Sequence, residues 1–243
     1  MIVVEGLWKD YGGRSVLERL DLAIAAGELV TLVGASGCGK TTFLRILLGD
    51  ETPSRGRVTL DGRPLRPEPG PDRGVVFQRY SVFPHLTVRQ NALLGLEFQG
   101  GGPLGRLWGR ARRQAEERAG SLLERVGLGH VGEAWPSALS GGMQQRLALA
   151  QALVLEPRLL LLDEPFGALD PGIRLDMHAL LLELWRDTGM TVVMVTHDLG
   201  EAFKLGTRVL TFDKVRDDPH APERYGATVT YDLRGRNRRP HAP

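Results

Sequence analysis

Two kinds of apolar pattern divide the chain. In "IVVEGLW" (2–8) and "LERLDLAI" (17–24) apolar and polar positions alternate, which predicts antiparallel strands with one buried face. Elsewhere the apolar runs are short and continuous: "VTLVG" (30–34), "GVVFQ" (74–78), "LLLLD" (159–163) and "TVVMVTH" (191–197). Such runs predict buried parallel strands whose C-terminal ends present chemistry. Between the first two lie "FLRILLG" (43–49), a short helix that Gly49 can end, and "GRVTLDGRPL" (56–65), where Asp61-Gly62 signals a hairpin turn.

From about 86 to 157 the spacing becomes helical, in "TVRQNALLGLEF", "ARRQAEERAGSLLERVGL" and "GMQQRLALAQALVL", without a strand signal. The expected fold class is therefore α/β: a mostly parallel sheet core with an antiparallel β subdomain and an inserted helical subdomain. Residues 1–85 and 158–215 form the core with its β subdomain, 86–157 the helical subdomain, and 216–243 a C-terminal extension too poor in apolar residues to be a second domain.

Composition narrows the class only a little. With 243 residues, 42% hydrophobic and 25% charged, the chain can bury the core of one domain. A formal net charge of +2 gives no argument for nucleic acid. Arg234, Arg236, Arg238 and Arg239 in the tail suit a solvated terminus or contact with an anionic membrane surface. The Gly/Arg-rich "GGGPLGRLWGRARRQ" (100–114) reads as a solvated loop leading into an amphipathic helix, ahead of a nucleic-acid contact. One cysteine allows no internal disulfide. The first residues lack a targeting pattern, and no apolar run approaches the roughly 18 residues of a membrane span. A cytoplasmic protein is expected, with any membrane role coming through a partner.

The chemistry sits at the strand ends. "GASGCGKTT" (34–42) fits G-x-x-x-x-G-K-[ST] after a strand and before a helix. Gly34, Ala35, Ser36, Gly37, Cys38, Gly39 and Thr42 would wrap backbone N–H groups around phosphate, Lys40 would reach the β and γ phosphates, and the Thr41 hydroxyl would ligate Mg²⁺. Cys38 is open to two roles, a thiol activated by the helix N-terminus or a passive small residue; its alkylation should block nucleotide. Asp163 can hold Mg²⁺, and Glu164 is the natural base for an attacking water. His197 ends the next strand, placed to meet the γ phosphate. The other histidines lack metal-ligand spacing, so no zinc is expected. In "LSGGMQQR" (139–146) Ser140 suits a helix N-cap, while Gly141 and Gly142 leave room for close approach.

The order of these motifs resembles the nucleotide-binding subunit of ABC transporters along nearly the whole chain. The family's phosphate loop matches Gly34 to Thr42, its glutamine loop Gln78, its signature "LSGGMQQR", its strand-end acids Asp163 and Glu164, its aspartate loop "GALD" ending at Asp170, and its switch histidine His197. The resemblance implies an ATP- and Mg²⁺-dependent ATPase with the P-loop NTPase fold. It implies a homodimer in which Ser140, Gly141 and Gly142 of one subunit close on the γ phosphate held by the other. It also implies Tyr11 stacked on adenine, and Gln78 sensing Mg²⁺ and water. Tyr80, Val82 and Phe83 would line a groove for a permease helix; packing under the helices is the alternative. A permease and an extracytoplasmic solute-binding protein complete such a system at the cytoplasmic membrane face, without nucleic acid. Met143 departs from the glutamine common in the wider family.

"FGALDPGIR", "MHALLLELW" and "MVTHDLGEA" are similar to importers of the nitrate, sulfonate and taurine type. "FQRYSVFPHLTV" and "FDKVRDDPHAPERYGATVTYDL" resemble ATPases that accompany urea carboxylase systems, with urea, guanidine or a related cargo. The ATPase never touches cargo, so its sequence has no physical reason to encode it. Two rival classes remain open: a soluble ABC ATPase acting on nucleic acid or the ribosome, and a non-hydrolysing nucleotide sensor. The first is set against one cassette with a compact helical insert, the second against the presence of Lys40, Glu164 and His197 together.

Overall fold

A computed structural model describes residues 1–77, 82–100, 106–216, 218, 220–221 and 223–234. Along the chain run β1 (Ile2–Tyr11), β2 (Arg14–Ile24), β3 (Leu29–Gly34), α1 (Lys40–Leu48), β4 (Arg55–Leu60), β5 (Arg63–Pro64) and β6 (Arg73–Val76). Then follow α2 (Val88–Gly100), α3 (Gly109–Arg125), α4 (Gly141–Leu153), β7 (Leu159–Asp163), α5 (Pro171–Thr188), β8 (Thr191–Val195), α6 (Leu199–Leu205), β9 (Arg208–Asp213) and β10 (Thr228–Arg234). One sheet is antiparallel, in the order β2-β1-β4-β5; the other has the order β10-β9-β3-β8-β7-β6 and is parallel except for β10.

The continuous apolar runs are buried on both faces, and each strand feeds two cores. Leu160, Leu162, Val192 and Met194 join α2, α3 and α4 in one apolar cluster. Their neighbours Leu159, Leu161, Val193 and Val195 join Phe43, Ile46 and Leu47 of α1, together with β1 and β2, in the other. Successive strand residues point to opposite faces, so α1 and α4 lie on opposite sides of the sheet. Each of the four leucines at 159–162 is at most 1% exposed. Burial of such a side chain is worth about 1.5–3 kcal/mol, which anchors the acids that follow at the sheet edge.

The hairpin and helix-stop signals have their expected geometry. Asp61 and Gly62 both have positive φ, 52° and 77°, as a two-residue type I′ turn requires. Gly49 caps α1 in the left-handed conformation at φ 89°.

β9 falls within the expected core, and β10, which lies in the stretch expected as a C-terminal extension, pairs with it at the edge of the main sheet; neither was among the apolar runs recognised in the sequence. Arg208 grips Asp232 through Nε and Nη2 at 2.7 and 2.6 Å. The backbone of 223–227 is stitched to β2: Ser15 N donates to Glu223 O, Glu18 N to Ala227 O, and Ala227 N to Val16 O, at 2.8–2.9 Å. β10 is mostly exposed, so it carries no apolar run. Arg234 ends β10; Arg236, Arg238 and Arg239 lie outside the described residues. No described helix is long and apolar enough to cross a membrane.

Candidate functional site

Because β3, β8 and β7 are adjacent and parallel, their C-terminal ends share one edge of the sheet. Gly34 ends the first, Asp163 the third, and His197 follows the second by two residues.

The loop from 34 to 42 is shaped by sterics. Gly34 has φ 152°, and a Cβ there would lie 2.2 Å from Phe212 O; at Gly39, φ 89°, it would lie 2.6 Å from Leu17 Cδ2. Only glycine fits either position. Gly39 caps α1 without a side-chain bond, leaving the first helical N–H groups for an anion. Ala35, Ser36, Gly37 and Thr41 are exposed around the rim, and Thr42 is half-buried. Lys40 is 6% exposed, and its Nζ donates to Gly34 O and Ala35 O at 2.8 Å each. The ammonium is thus held by the loop it would serve, where phosphate oxygens can replace carbonyls as acceptors.

Of the two roles open to Cys38, burial supports the passive one. It is 5% exposed and packed in the α1 core, with Sγ 3.5 Å from Lys40 Nζ. Its role is that of a small apolar residue.

Thr41 Oγ1 donates to Asp163 Oδ1 at 3.2 Å. Two hard oxygen donors side by side at the phosphate loop suit Mg²⁺. Burial raises the Asp163 carboxyl above its ordinary pKa; the Thr41 hydroxyl opposes this and the Glu164 charge reinforces it. A divalent cation would relieve a carboxylate held at that cost. Glu164 has a positive φ of 46° and donates its N–H to Val195 O at 3.0 Å. The turn swings its carboxylate to His197, with Oε2 3.1 Å from Nδ1. The His197 side chain is 68% exposed, leaving Nε2 as the ring nitrogen for an incoming group.

Tyr11 ends β1, 41% exposed. Its phenol interacts with Glu51 and Thr42; burial and the Glu51 carboxylate raise its pKa. Lys9 Nζ lies 4.6 Å from the ring centroid. With the ammonium over one face, a nucleobase would stack on the other.

In the signature turn the Ser140 side chain accepts from Met143 N at 3.3 Å, as an N-cap does. Gln144 Nε2 donates to Pro136 O and Leu139 O, fixing the turn from within its own helix. The space expected at both glycines needs correction: Gly141 is exposed, but Gly142 is buried, and a Cβ on it would lie 2.5 Å from Ile173 Cγ2. Gly142 therefore admits α5 of its own chain, and room for an incoming group belongs to Ser140 and Gly141. Asp170 is exposed and N-caps α5 without a side-chain cap bond.

Of the three residues expected at a permease groove, Val82 is half-buried against the helical core and Phe83 is 41% exposed, edge-on to His85. Tyr80 and Gln78 lie outside the described residues. Sequence reasoning missed Asn91, which is 1% exposed. Its Oδ1 accepts from Phe83 N and Gln151 Nε2, and its Nδ2 donates to Phe83 O, Leu86 O and Thr87 O, all at 2.8–3.1 Å. A polar residue at a buried position of an apolar helical pattern was the available signal.

A cleft of about 400 Å³ lined by Arg118, Leu122, Val154, Pro157 and Met190 shares none of these residues.

The sequence matches the family described as ABC transporter over residues 17–167. The taurine import ATP-binding protein TauB of Yersinia pestis is 45% identical over 210 residues, 86% of this chain and 78% of that protein. The dimeric structure of MJ0796, described as a bacterial ABC transporter cassette, superposes with a TM-score of 0.78 at 30% identity, covering 98% of this chain and all of that one. A post-hydrolysis MJ0796 dimer bound to ADP and Pi gives 0.77 at 29% identity, with the same coverage.

Proposed function

The chain belongs to the ABC transporter family as an ATP-hydrolysing subunit, and we propose that it powers a membrane importer for a small solute by closing as a homodimer around two shared ATP sites. One observation carries the shared site: α1 with the phosphate loop and α4 with the signature turn lie on opposite faces of the sheet. Each presents an N-terminus suited to phosphate, and a single chain cannot bring them to one anion. A second copy, turned head to tail, can.

In the closed dimer Lys40 and the 34–42 backbone bind the β and γ phosphates, and Tyr11 takes the adenine on the ring face away from Lys9. Thr41 and Asp163 are the residues that hold Mg²⁺, joined by Gln78 in the family pattern; the ion supplies neutralisation of phosphate charge. Glu164 accepts the proton of the attacking water, and His197, oriented through Nδ1, directs Nε2 to the γ phosphate. Ser140 and Gly141 of the second copy, with Gly142 supporting the turn, close over the same phosphate. Asp170 lies at the facing edge.

The subunit works peripherally at the cytoplasmic membrane face, receiving a permease helix against Val82 and Phe83 near Tyr80. An extracytoplasmic binding protein supplies the solute. TauB, named for taurine import, supports the importer reading.

The decisive measurement is ATP-dependent assembly. Glu164→Gln with ATP and Mg²⁺ should sediment as a dimer, and adding Ser140→Arg should return it to a monomer that still binds nucleotide. A monomer with both proteins, or a dimer indifferent to Ser140→Arg, rejects the shared site.

A further inference from the structure

Behind His197 lies a buried polar network that the proposed mechanism does not use. His178 of α5 and Glu201 of α6 have side chains only 5% and 7% exposed, with Nε2 and Oε1 2.7 Å apart. A carboxylate oxygen accepts, so His178 Nε2–H donates. The second carboxylate oxygen, Oε2, accepts from the Thr196 hydroxyl at 2.5 Å. That hydroxyl accepts from Asp198 N at 3.1 Å, spanning His197, and Asp198 Oδ1 accepts from Glu201 N at 3.1 Å. The backbone that carries His197 is therefore stapled on both sides, and the staple is braced against α5.

The same brace reaches the other strand end. Phe166, two residues after Glu164, packs edge-on against the His178 ring, centroids 5.1 Å apart. The turn after β7 and the turn after β8 are thus joined twice. At the surface Glu164 meets His197; beneath, Phe166, His178, Glu201 and Thr196 form a continuous chain of contacts. Burying this many polar atoms is costly, and a buried polar network is often no better for stability than an apolar replacement. Its value lies in the geometry it imposes.

We propose that Glu201, with Thr196 and His178, is a positioning device for ATP hydrolysis, setting the orientation of His197 relative to Glu164. This rests on the role of His197 given above. Misplacement of a reacting group by about 1 Å can cost on the order of 10²-fold in rate. Loss of the network should therefore lower kcat about 10- to 100-fold while leaving KM for ATP within about twofold, because the phosphate loop is untouched.

Thr196→Val keeps the volume and removes the hydroxyl, and Thr196→Ser restores it; Glu201→Ala is the larger cut. Single-turnover hydrolysis and nucleotide binding are measured for each, alone and combined with His197→Ala, with thermal unfolding as the folding control. Expected are a kcat loss in Thr196→Val, recovery in Thr196→Ser, and no further loss when Thr196→Val or Glu201→Ala is added to His197→Ala. Equal rates in Thr196→Val and wild type, absence of recovery by serine, or losses that multiply in the His197→Ala background overturn the positioning role. If His197→Ala itself hydrolyses ATP at the wild-type rate, the role of His197 falls and the inference with it. If only that variant is impaired, the inference alone falls.

Discussion

Glu164 Oε2 and His197 Nδ1 lie 3.1 Å apart across the ends of two neighbouring parallel strands. In the proposed mechanism that bond orients the imidazole through one nitrogen and leaves the other for the γ phosphate, coupling the base to the phosphate ligand. Glu164→Gln keeps the shape and loses the proton acceptor. Its ATP turnover should fall by about 10² to 10⁴, with ATP affinity changed far less. Phosphate release and equilibrium nucleotide binding, measured on one preparation, test this.

Asp163 is raised by burial, so the metal-free fold carries a carboxylate that would rather be neutral. Its folded pKa lies above its unfolded one. The ionisation penalty is therefore complete above the folded pKa, shrinks as pH falls through it, and is gone only below the unfolded pKa. Asp163→Asn should melt higher than wild type at neutral pH in chelator, the gap should narrow toward acid, and Mg²⁺-dependent hydrolysis should be lost. Thermal melts across pH, with and without Mg²⁺, read out both.

At Gly142 any side chain meets Ile173 Cγ2 at 2.5 Å. Gly142→Ala should cost about 1–3 kcal/mol, the usual scale for overpacking, and Ile173→Ala in the same chain should recover part of it. A double-mutant cycle by denaturant unfolding gives the coupling directly. Additive losses would mean that α4 and α5 do not meet as described.

Asn91 satisfies both ends of the segment from Phe83 to Thr87. Asn91→Leu removes the side-chain partners of Phe83 N, Leu86 O and Gln151 Nε2, while Phe83 O and Thr87 O keep the backbone donors of Leu86 and residue 91; a buried group left without a partner costs about 1–3 kcal/mol. A loss of several kcal/mol of stability is expected. Where enough folded protein remains, ATP binding should survive while pull-down of the permease partner weakens, because the loop carrying Phe83 has lost its clamp.

Much of this was legible in one dimension. The phosphate loop is a local object: Gly34, Gly39, Lys40 and Thr41 are fixed by a strand, a turn and a helix within nine residues, and no distant contact is needed to specify their roles. The acids at 163 and 164 were legible because four leucines must be buried immediately before them. β10 was not, because an edge strand with a mostly exposed face has no apolar signature and is held by backbone pairing and the Arg208–Asp232 grip.

The sequence by itself determined which groups stand at the strand ends, since residue type and local spacing are enough to build each turn. Only the tertiary structure decided their relations. It set Cys38 inward rather than at the rim, filled the space at Gly142 with Ile173, and joined His178 to Glu201 beneath His197. These outcomes depend on which faces of separate elements meet across the sheet, and alternate burial of single strand residues is a property of the packed cores on either side. For the same reason, the placement of the phosphate loop and the signature turn on opposite faces could come only from the fold.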